Sequence, residues 1–197
     1  MRLLSTVVAS VTILGLAAIA SARPASFDVI LDGPSESPAN ASPGTGVGQV
    51  DIDEILHTMR VQVSFSGLTG VTTASHIHAA TTTAFTGTAG VATQTPSFST
   101  FPLGVTSGSM DQTFDMTLAS SYNGSFITAN GGTPASAEAA LYSAMLSGKS
   151  YLNIHSQTFG GGEIRGFLVN APEPATAGML AIAAGAMALR RRRATAA

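Results

Sequence analysis

Short runs of period-two alternation constrain this chain most. Phe27, Val29 and Leu31 share one face of a run while Asp28 and Asp32 share the other. Val61, Val63 and Phe65 alternate with Arg60, Gln62 and Ser64. Met110, Phe114, Met116 and Leu118 alternate with Asp111, Thr113, Asp115 and Thr117. Successive side chains of a strand point to opposite faces, so each run can bury one face and wet the other. Residues 47–52, 74–79, 151–155 and 164–169 read the same way. Turn formers divide them, among them Gly33-Pro34, Pro43-Gly44 and Asn130-Gly131-Gly132. Asp53-Glu54 and its neighbours fit a hairpin between residues 47–52 and 59–66.

Residues 134–147 break the pattern, with Ala137, Leu141, Ala144 and Met145 at helical spacing. Thr133 suits the N-cap, Pro134 the first helical position and Gly148 the end. Residues 80–107, rich in Thr, Ser, Gly and Phe, read as a long loop or loose hairpin. The expected fold is all-β, an antiparallel sandwich or barrel with one short crossing helix, flanked by cleaved hydrophobic terminal helices. The chain has no cysteine, which excludes disulfides, Cys-containing zinc sites and cysteine nucleophiles.

Both ends read as addresses. Met1-Arg2 opens a mostly apolar stretch over residues 3–20 that closes on Ala20-Ser21-Ala22. Small residues at Ala20 and Ala22 fit a signal peptide over residues 1–22, removed by signal peptidase. At the other end, Pro172-Glu173-Pro174 precedes an uncharged stretch, residues 175–189, and then Arg190, Arg191, Arg192 and Arg193. Fifteen helical residues span about 22 Å, short of a hydrocarbon core of about 30 Å. The arginines would stay on the cytoplasmic side. Residues 172–197 resemble the PEP-CTERM sorting signal of exopolysaccharide-producing bacteria. That resemblance implies an exosortase-type membrane protease acting near Pro172–Pro174. The chain would be anchored in the inner membrane before this cleavage and released or attached at the cell surface after it. The competing reading is an ordinary tail anchor.

Between the two signals, residues 23–170 hold four basic residues (Arg23, Arg60, Lys149, Arg165) against ten acids, a net charge of −6. An acidic body with no basic patch argues against nucleic acid as a partner. About 148 residues is an ordinary single-domain size.

Four pieces of this body match one family. They are Leu31-Asp32-Gly33 with Glu36-Ser37-Pro38, then Phe65-Ser66-Gly67-Leu68-Thr69, then Ala74-Ser75-His76-Ile77-His78. The last is the run from Gly148 to His155 together with Gly162-Glu163-Ile164-Arg165-Gly166. Together they resemble the chordin-type (CHRD) domain over nearly all of residues 26–169. Ala39, where the family more often has a second proline, and the long Thr-rich segment after Ala80 depart from its pattern. The resemblance implies an all-β extracellular module of poorly defined activity.

The histidines carry most of the chemistry that can be argued. On a strand, His76 and His78 project to one face and Ile77 to the other. Asn153 and His155 likewise oppose Leu152 and Ile154. If Ile77, Leu152 and Ile154 face the core, His76, His78 and His155 lie on one side of the sheet. Were their strands neighbours, the three could hold copper or zinc with an open fourth position. The competing reading is three histidines that cap polar networks. His57, beside the hairpin turn, reads as solvated. The His-x-His strand also resembles copper, zinc superoxide dismutase over a few residues.

Glu163 and Arg165 stand two apart, bracketed by Gly162 and Gly166. The reading favoured for them is a buried structural ion pair, each neutralising the other or a cross-strand partner. A functional reading makes Glu163 a metal ligand or general base. No Gly-x-Ser-x-Gly elbow and no P-loop occurs. The expected function is an exported binding or structural module of the cell surface or extracellular matrix, rather than an enzyme. Extracellular polysaccharide or a matrix protein is its expected partner, and the membrane is touched only transiently. The alternative is a metal-binding domain with a three-His site, extending to a superoxide-dismutase-like redox enzyme.

Overall fold

The computed structural model describes residues 24–171. The expected signal peptide, with Ala20 and Ala22, lies outside the described residues. So does the sorting signal, with Pro172, Glu173, Pro174, its apolar stretch and Arg190 to Arg193. Among the described residues no helix is long and apolar enough to cross a membrane.

Among the described residues eight strands form a single sheet: β1 (Ala25–Asp32), β2 (Thr45–Asp53), β3 (Thr58–Ser66), β4 (Thr72–Ala79), β5 (Gly108–Asp115), β6 (Ser150–Ser156), β7 (Ile164–Phe167) and β8 (Val169–Asn170). Their order is β4-β6-β7-β1-β2-β3-β5, with β8 added to β1, and the pairs are antiparallel. The sheet curls into a half-barrel, as the all-β expectation requires. β2 and β3 form the expected hairpin, closed at Asp53 opposite Thr58. Asp53 Oδ1 accepts from the amides of Ile55 and Leu56, both at 2.9 Å, which fixes the turn.

Alternation has the predicted outcome in β1, β3 and β5. Phe27, Val29 and Leu31 are buried, as are Met59, Val61, Val63 and Phe65 and, on β5, Met110 and Phe114. β4, β6 and β7 differ, for they are buried on both faces. Their core face carries Ile77, Leu152, Ile154 and Ile164. Their other face is polar and lies under loops. β7 also runs very close to β1: a Cβ on Gly166 would sit 2.0 Å from the carbonyl oxygen of Ile30. Only glycine fits there.

Among the described residues two α-helices stand where one crossing helix was expected. α2 (Pro134–Leu146) is the predicted one, with Thr133 and Ser136 forming a capping box and Pro134 in the first turn. It places Ala137, Leu141, Ala144 and Met145 in the core. α1 (Gly124–Ala129) is additional, and so is a 3₁₀ turn at Ala119–Ser121. α1 is only six residues long, opens on glycine and is set by Asn123, whose side chain accepts from the Ser125 amide. Residues 80–107 form no named strand, yet they bury Ala92, Phe98 and Phe101. Their backbone also covers the β4 edge, through Ala79 N to Gly90 O, Ala92 N to Ile77 O and Phe98 N to Ser75 O.

Candidate metal centre

β4 and β6 are neighbours, in a register that sets His76 opposite Asn153, His78 opposite Tyr151 and Ala74 opposite His155. Directly opposed residues share a face. His76, His78, Tyr151, Asn153 and His155 therefore crowd one side, and Arg165 and Phe167 extend it across β7. One ring nitrogen from each of His76, His78 and His155 lies within 4.8 Å of the others. Nε2 of His76 is 2.9 Å from Nε2 of His155. Two nitrogens on one tetrahedral zinc, each about 2.0–2.1 Å from it, stand about 3.4 Å apart. The observed 2.9 Å lies below that value and the 4.8 Å limit above it, so the three rings stand at ligand-like spacing.

The outer hydrogen bonds decide which nitrogens are bare. Nδ1 of His78 is 2.8 Å from the carbonyl oxygen of Ala89. Nδ1 of His155 is 3.0 Å from that of Gly160. A carbonyl only accepts, so both Nδ1 atoms carry the proton and both Nε2 atoms keep a lone pair when neutral. Nε2 of His78 is buried with no hydrogen-bond partner, and so is Nδ1 of His76. Such orphaned buried groups are uncommon in folded proteins.

Burial also keeps the rings neutral. It pushes His76 down to about 3, helped by His155 and His78 and opposed by the Pro96 carbonyl nearby. It pushes His78 down to about 4, against the Ala89 hydrogen bond and with help from His155 and Arg165. His155, the most exposed of the three, is lowered as well by burial, against its bond to Gly160. Three neutral imidazoles without a carboxylate suit zinc or copper and not calcium or magnesium.

The expected Glu163–Arg165 pair does not form. β7 begins at Ile164, and Gly162 at φ 134° turns Glu163 off the strand. The Glu163 carboxylate accepts from the Ser42 hydroxyl at 2.7 Å and from the amides of Thr69 and Gly70. Burial raises its pKa, but the hydroxyls of Ser156 and Ser42 and those two amides outweigh burial and leave it lowered. It does not join the histidine group. Arg165 pairs instead with Glu36, its Nε 3.8 Å from Oε2. It also donates to the carbonyls of Ser35 and Gly87. Burial drives the Glu36 carboxyl up to about 7, against the pull of Arg165 and the Ser37 amide. His57 is half exposed, as expected of a turn residue, yet its Nδ1 lies 2.8 Å from the buried carboxylate of Glu138.

Sequence reasoning missed Glu36 and Tyr151 as members of this face. Tyr151 stacks on His78 with ring centroids 4.7 Å apart and planes 5° from parallel. The scarcity of charge was the available signal for Glu36. A body with four basic residues that buries one of them needs an acid nearby.

The CHRD domain family matches residues 27–168. The chain belongs to the CHRD family. Searches of curated proteins and of solved structures gave no match. For this CHRD domain the match covers every strand that builds the histidine face.

Proposed function

We propose that this CHRD domain is an exported surface or matrix module that holds one copper or zinc ion on His76, His78 and His155. The observation that carries the metal is the bare, buried and unpartnered Nε2 of His78, in a group where one ring nitrogen from each of His76, His78 and His155 lies within 4.8 Å of the others. Burial keeps all three rings neutral, which metal coordination requires. Exchange of copper or zinc into the purified full chain tests the reading, with bound metal measured by elemental analysis. About one ion per chain is expected for wild type, and none above background for the His76→Ala, His78→Ala double variant. Equal metal in both would overturn it.

The delivery route is part of the same proposal. Signal peptidase cuts after Ala22, and an exosortase-type protease acts near Pro172–Pro174, with matrix polysaccharide or protein as the partner outside. Ala20-Ser21-Ala22 and the ordered Pro-Glu-Pro, apolar stretch and Arg190 to Arg193 support it. Intact mass of the surface-located protein from its host should show a chain that starts at Arg23 and lacks the four arginines. Their retention would overturn the route.

A further inference from the structure

The proton on Nδ1 of His78 determines that its Nε2 is bare, and the Ala89 carbonyl determines where that proton sits. Residues 86–88 and 90, on either side of Ala89, are exposed. No regular element fixes this segment. Backbone bonds tie its flanks, Phe85 N to Gly148 O and Ala79 N to Gly90 O, and between them two side chains hold it from beneath. Arg165 Nη1 donates to the Gly87 carbonyl at 3.1 Å. The Tyr151 hydroxyl meets the Ala89 amide at 3.3 Å and the Ala89 carbonyl at 3.4 Å.

The same two residues also form a column against the ligand. The Arg165 guanidinium carbon lies 4.7 Å from the Tyr151 ring centroid, and Tyr151 stacks on His78. Arg165 is itself immobilised, only 4% exposed, with Ser35 accepting from Nε and Glu36 beside it. A planar fork with several donors can tie two loops and cover a ring at once, which a lysine cannot do.

We propose that Arg165 is the positioning residue of the histidine centre. Through Gly87 and through Tyr151 it fixes the 87–89 segment and so holds His78 in the tautomer that aims a bare Nε2 at the metal. The proposal rests on the metal reading for its purpose, but the tautomer can be read without metal. Groups in this outer layer commonly change metal affinity by about 10–100-fold when altered.

The test uses the metal-free full chain with ¹⁵N-labelled histidine at neutral pH. Wild type should show His78 as one tautomer, protonated on Nδ1. Arg165→Lys, which keeps a positive charge beside Glu36, should show a mixture of both tautomers and bind zinc about 10–100-fold more weakly. A single Nδ1-protonated tautomer in Arg165→Lys would overturn the proposal. Should that variant fail to fold, Tyr151→Phe decides by the same signature, since it keeps the ring stack and removes both hydroxyl contacts. Absence of zinc binding in wild type would overturn the metal reading alone, because the tautomer still reports on Arg165.

Discussion

A buried carboxylate surrounded only by donors is a structural group whatever its sequence neighbours suggest. Glu163 is fully buried, with Ser42, Thr69 and Gly70 all donating to it. Hydrogen bonds to a charged group are worth about 1.5–3 kcal/mol each. Glu163→Gln turns one acceptor into a donor that faces donors, so a stability loss of about 1.5–3 kcal/mol is expected. Bound metal per chain should not change. Chemical denaturation and elemental analysis of the same preparation check both halves, and lost metal at unchanged stability would return Glu163 to the site. At this scale the sequence shows the histidines clearly and the ion pair poorly. Alternation alone puts His76, His78 and His155 on the side opposite Ile77, Leu152 and Ile154. The spacing of Glu163 and Arg165 misleads because it assumes that one strand carries both. Their true partners, Ser35 and Glu36, Thr69 and Gly70, and Gly87, sit in loops with no periodic signal.

At the scale of elements, local chemistry made most of the sheet legible. The β2–β3 hairpin follows from the turn at Asp53, whose side chain caps two amides. α2 follows from Thr133, Pro134 and Gly148, the last with φ 64°. α1 escapes notice because helical periodicity needs more than six residues to emerge, and Ile127 and Thr128 add β-branched side chains. The pairing of β4 with β6 is not legible either, since seventy residues separate them and neither alternates in burial. Their pattern fails because loops bury the polar face: Ala89, Gly160 and Ser35 must cover what water would otherwise meet. Where alternation gave way to uniform burial, the chain was building its site. That coincidence follows from the cost of leaving buried polar groups without partners.

For the molecule as a whole, the same burial makes stability depend on pH in two opposed ways. His76 and His78 titrate at about 3 and about 4 when folded, below the ordinary 6.5. Between those values and 6.5 the unfolded chain binds protons that the folded chain does not, so their contribution is full above 6.5 and is lost on acidification. Glu36 runs the other way, at about 7 folded against an ordinary 4.5. Its contribution is full below 4.5 and is lost as pH rises through 7. Between about pH 4.5 and 6 two histidines outweigh one carboxyl, and each net proton changes stability by about 1.4 kcal/mol per pH unit. His155 is lowered too and adds to the histidine side. Metal-free protein should therefore lose stability from pH 6 to 4.5, measured by urea midpoints. Glu36→Gln removes the opposing group, so its loss over the same interval should be steeper, while its stability at pH 7 should not fall with rising pH. A wild-type midpoint that stays level or rises on acidification would mean that the histidines are charged in the fold. A bound metal raises the curve with the logarithm of its affinity, and the acid limb should then steepen as protons displace it.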